Sequence, residues 1–170
     1  MQKLILVYGV IAGLVIISSA ILSLVVGIAS TWLGFLVMFI AFSTIFLAVK
    51  TYRDDALGGV IRFGTGFGLG LGITIVASLI YVFVWELYLV ATDYTFMDTY
   101  TASLLEKESA GGASQEQLAE LASEMESMKE MYANPLIRLP MTFVEIFPVG
   151  LLISLIAAFV MKRGGATVAA

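Results

Sequence analysis

The chain has 170 residues, 60% of them hydrophobic and 13% charged, with a formal net charge of −4. Soluble domains are about 45–50% apolar, and an excess gathered into long runs implies a lipid solvent. With no cysteine there is no disulfide framework or thiol chemistry, and with no histidine the commonest general base and metal ligand are missing.

The first apolar run, Leu4 to Ile28, carries no charge. Its roughly 25 residues at ~1.5 Å each exceed a ~30 Å hydrocarbon core, so it should span with tilt. It is too long for the ~7–15-residue apolar stretch of a signal peptide, which predicts a retained helix. Trp32 to Val49 is a second run, about 18 residues long and just sufficient to span.

The stretch Phe63 to Gly72 reads FGTGFGLGLG, with glycine at every second position. A dinucleotide loop needs G-x-G-x-x-G, and the last glycine is never in place; no Lys-Ser or Lys-Thr follows for a P-loop. Repeated glycine weakens a strand, which leaves a helix. Gly64, Gly68 and Gly72 then form one stripe, with Gly66 and Gly70 roughly opposite. Interior glycine costs about 1 kcal/mol of helix propensity against alanine, and close backbone approach in a membrane offsets it. The stripe is expected against another helix, with the first span its neighbour. Gly9 and Gly13 in the first span, Gly34 in the second and Gly150 in the last offer matching small faces. They serve either packing within one chain or a contact between copies.

Phe67 to Ala91 forms the third span, interrupted only by Glu86. The segment 93–140 follows, with Lys107, Lys129 and Arg138 against nine acids. Ser114 to Gln117 matches a capping box. Beyond it, Leu118, Leu121, Met125, Met128 and Tyr132 make an apolar stripe, with Glu116, Glu120, Glu124 and Glu130 on the other face. Asn134-Pro135 stops that helix. Upstream, Met97, Tyr100 and Leu104 form a shorter stripe that ends at Gly111-Gly112. The prediction is two antiparallel amphipathic helices outside the membrane. Their apolar faces cover each other or meet a partner; the short upstream helix suggests that Met125 and Met128 are buried against a second subunit or a separate periplasmic protein. Met141 to Met161 is the fourth span, interrupted only by Glu145.

Lys3, Lys50, Arg53, Arg62, Lys162 and Arg163 fall on one side of this arrangement, which places both termini in the cytoplasm. The predicted fold is all-α: residues 1–170 form one integral membrane domain, a four-transmembrane-helix bundle, with a helical hairpin at 93–140 between the third and fourth spans. Glu86 and Glu145 are the candidate ion or proton site, since an ionisable group inside a membrane is a functional hypothesis by default. The other reading is structural, with Glu86 facing the interior and Glu145 or Arg138 as its polar partner.

The stretches YGVIAGLVI, KTYRDDALGGVIRFGTGFGLG, WELY, FMDTY and NPLIRLPMTFVEIFPVG, in this order, resemble the bacterial membrane proteins grouped as domain of unknown function family 4199. The resemblance covers nearly the whole chain. It implies a small four-helix bacterial membrane protein and supplies no catalytic residue, substrate or cofactor; the expected location is the bacterial inner membrane. No cofactor, metal or nucleic-acid partner is expected, and no enzymatic activity. The function read from the residues is a non-enzymatic assembly or accessory subunit; the alternative is a proton- or cation-coupled permease or channel component using Glu86 and Glu145.

Overall fold

The computed structural model describes residues 1–28 and 30–162. Six helices follow in order: α1 (Gln2–Val26), α2 (Thr31–Thr51), α3 (Phe63–Ala91), α4 (Phe96–Ala110), α5 (Gln115–Ala133) and α6 (Pro135–Met161). A π-helical turn, Tyr52–Ala56, prolongs α2. The fold is all-α, and α1, extended α2, α3 and α6 are each long and apolar enough to cross a membrane. They mark a membrane protein. Of the residues used to orient the bundle by charge, Arg163 lies outside the described residues, as does Ala29 in the turn between the first two spans.

The helices outrun the apolar runs at their charged ends. The second continues through Lys50 and Arg53 to Ala56, the third starts at Phe63 rather than Phe67, and the fourth starts at Pro135 rather than Met141. A charge ends a hydropathy window without ending a helix. Asn134 opens α6: its side chain accepts from the Leu136 N–H at 3.0 Å, and its carbonyl accepts from Arg138 at 2.9 Å. Pro135 sits at the first helical position, where its missing N–H costs nothing.

The chain forms two compact units, Met1–Phe83 with Phe143–Ala170, and Val84–Thr142. In the first, glycines let helices approach closely. A Cβ at Gly9 would lie 2.6 Å from Val76, one at Gly13 2.7 Å from the Ala77 carbonyl, and one at Gly72 2.8 Å from Ile5, so α1 and α3 run parallel. Gly150 of α6 faces Thr74 and Phe42, and Gly70 faces Ser154 and Ile45. Around these contacts Phe42, Ile45, Val49, Leu69, Ile73 and Ala157 are fully buried.

Gly64 and Gly68 correct the expected stripe. No described atom lies within 4 Å of a Cβ built at either. Their face of α3 continues into Ile75 and Leu79, which are exposed. Of the stripe's three glycines, Gly72 packs on Ile5 of α1, the neighbour expected, while Gly66 and Gly70 on the opposite face pack against α6 and α2. Two glycine faces were legible; how far along each face the packing extends depends on where the neighbouring helices lie, and glycine spacing does not carry that information.

In the second unit α4 and α5 form the hairpin. The capping box is present: Ser114 Oγ accepts from the Gln117 N–H at 3.2 Å, and the Ser114 N–H donates to Gln117 Oε1 at 2.8 Å. Met97 of α4 and Met125 of α5 are buried, at 6% and 4% exposure. This corrects the expectation that Met125 meets a partner: at 4% exposure it is already covered within the chain. Met128 stays 40% exposed and Met131 49%.

Candidate functional site

The most developed polar arrangement lies in the second unit and is centred on Arg138. Its Nε and Nη2 donate to the two carboxylate oxygens of Glu86, both at 2.7 Å, and its Nη1 donates to the Tyr132 carbonyl at 2.9 Å. The fork geometry is the strong, bidentate form of the ion pair. The Arg138 side chain is 5% exposed and that of Glu86 23%. The guanidinium carbon lies 5.3 Å from the Tyr94 ring centre and 5.7 Å from that of Tyr132, within cation–π range.

Local backbone chemistry positions each part. Asp93 and Tyr94, after α3, both take positive φ, at 49° and 57°. A tyrosine there is sterically costly. The turn is held by the Tyr94 N–H donating to the Leu89 carbonyl at 2.8 Å, and it sets the Tyr94 ring over Arg138. Trp85, one residue before Glu86, donates its indole N–H to the Tyr132 hydroxyl at 2.5 Å. It also meets Phe96 edge-on at 4.8 Å between ring centres, and Phe96 lies beside Tyr132 at 6.2 Å. The end of α3, the starts of α4 and α6 and the end of α5 are thereby joined through one charged and aromatic clasp. Further out, Lys129 of α5 pairs with Asp98 of α4 at 2.5 Å, both side chains exposed.

Glu86 and Glu145 therefore have separate partners. Of the two partners expected for Glu86, the structure supplies Arg138, which engages both carboxylate oxygens. Glu145, in the first unit, accepts from the Tyr81 hydroxyl at 3.1 Å. It sits on the exposed face of α6 beside Val144, which is 58% exposed. Deeper in that unit Thr74 and Ser154 are fully buried, share a hydroxyl contact of 3.1 Å and donate back to the Gly70 and Gly150 carbonyls. At the π-helical turn, Arg53 is buried, pairs with Asp54 at 2.7 Å and reaches the Met161 sulfur at 3.8 Å.

Sequence reasoning placed Tyr132 in an apolar stripe and joined neither it, Trp85 nor Tyr94 to Arg138. The available signal was an arginine just ahead of an apolar run, a position that calls for an acid and for rings at the same level. Tyr81 and Arg53 gave no such signal. Among the described residues no group of three metal-binding side chains converges.

Residues 7–163 match the sequence profile of the family described as "Protein of unknown function (DUF4199)". No curated protein and no solved structure matches the chain.

Proposed function

The chain belongs to this family, whose description assigns no activity, and from the clasp geometry we propose that it acts as a non-enzymatic accessory subunit of a bacterial inner membrane, holding its hairpin in a fixed pose for a partner outside the cytoplasm. The observation that carries the reading is the bidentate Glu86–Arg138 pair, enclosed by Tyr94, Tyr132 and Trp85. A carboxylate with both oxygens held by one guanidinium supports a structural role for Glu86 over ion coupling. What the clasp fixes is a hairpin with Met128 and Met131 exposed about one turn apart. Methionine suits a docking surface because its unbranched side chain adapts to irregular neighbours. The placement of Lys3, Lys50, Arg53 and Arg62 supports cytoplasmic termini and an external hairpin.

The chain has no native cysteine, so single substitutions test this pose directly. Ser109→Cys should react with a membrane-impermeant thiol reagent in intact cells, and Lys162→Cys only after permeabilisation. The opposite pattern would place the hairpin in the cytoplasm and end the proposal.

A further inference from the structure

We propose that two copies of this chain associate within the membrane, with the Ser18 hydroxyl of one donating to the Glu145 carboxylate of the other. The inference does not rest on the hairpin reading. Glu145 lies on the surface of α6 among exposed apolar residues, Val144 and Leu152 at 58% and 50%. Tyr81 donates to one of its oxygens, and among the described residues nothing donates to the other. A half-satisfied carboxylate against hydrocarbon is costly, so this surface calls for a donor brought by another span.

The same chain exposes such a donor on a different helix, at a similar depth. Ser18 lies on the open face of α1 with Leu14, Val15 and Leu22, which are 45%, 46% and 62% exposed. Its hydroxyl makes no hydrogen bond among the described residues. Gly9 faces Val76 and Gly13 faces Ala77 and Ile80, so Ser18 falls roughly one helical turn, ~5 Å, from the level of Tyr81. Tyr81 is the residue that reaches Glu145. Ser43, another exposed hydroxyl within a span, is already donating to the Ile40 carbonyl. It also lies about one residue beyond Phe42, which packs on Gly150, and so ~9 Å from the Glu145 level. Donor and acceptor sit on different surfaces of one chain, so the contact between copies is head-to-tail, of the kind that closes into a ring when its rotation permits.

Two differently tagged chains in one membrane test this, one carrying Val15→Cys and the other Val144→Cys. A short thiol crosslinker should join the two tags, more strongly than it joins two chains with the same substitution. Ser18→Ala should weaken the heterotypic crosslink roughly threefold to twentyfold, the range for hydrogen bonds between membrane helices. Glu145→Gln, which keeps an acceptor, should weaken it less than Glu145→Leu. In the Glu145→Leu background, Ser18→Ala should have no further effect. Crosslinks confined to pairs of Val144→Cys chains, crosslinks only to a different protein, or a monomer with none, would each overturn the proposal. Labelling of Ser109→Cys in parallel samples of the Ser18 and Glu145 variants, with no other cysteine present, verifies that they insert with the parent topology.

Discussion

Arg138→Ala removes three hydrogen bonds and two ring contacts at once, and leaves Glu86 without the donor that held both its oxygens. Breaking a buried pair by deleting one partner costs about 3–5 kcal/mol, because the remaining charge is stranded. Glu86 keeps 23% exposure and can regain some water, which places the loss near the lower end, about 3 kcal/mol. For a chain of this size each kcal/mol moves the midpoint by ~2–4 °C, so the variant should melt roughly 6–12 °C lower. Glu86→Gln should cost less, since an amide oxygen still accepts from the guanidinium. Glu86→Leu combined with Arg138→Met should recover part of the loss, because no charge is left unpaired. Trp85 sits inside the clasp and Trp32 is 85% exposed, so Trp85 fluorescence in a Trp32→Phe chain in detergent follows this region. A single Arg138→Ala variant melting within about 2 °C of its parent would refute the reasoning.

Gly13→Leu should severely impair folding, because its new Cβ would meet the Ala77 carbonyl at 2.7 Å and backbone cannot step aside; yield of monodisperse protein in detergent reports it. Gly68→Leu faces open space and should leave that yield unchanged or raise thermal stability slightly. Thr74→Val with Ser154→Ala should cost less together than the sum of the single changes, as measured by thermal melts, since the two hydroxyls share one contact. The Lys129 ammonium is held above its ordinary value of 10.5, first by its hydrogen bond to Asp98 and then by that carboxylate's charge. A raised lysine contributes stability that is fully present below the unfolded value and is lost as pH climbs through the folded one. The pair should therefore persist across neutral pH, and Asp98→Asn should bring Lys129 back towards 10.5 in an NMR titration.

The four spans were legible because twenty-residue apolar runs have few other uses, and the capping box at Ser114 located the start of α5 to the residue. Local signals of this kind are written in adjacent residues. That Gly64 and Gly68 stay open while Gly66, Gly70 and Gly72 pack was not, since it depends on where along α3 the other helices lie. Met125 illustrates the same limit. Its stripe was visible, but its burial within the chain is a tertiary fact that the stripe does not carry. The Glu86–Arg138 pair stood between these cases. Its members are 52 positions apart, yet each is a charge beside an apolar run, and the cost of leaving either unpaired narrows the choice of partner.

The central claim is that the clasp holds an exposed methionine surface for another protein. Met128→Cys, the sole cysteine in the chain, tests it most directly by crosslinking in intact membranes. The account predicts a crosslink to a separate protein outside the cytoplasm, with a lower yield when Arg138→Ala loosens the clasp. Crosslinks confined to the same chain, or a partner crosslink with undiminished yield after Arg138→Ala, would contradict it.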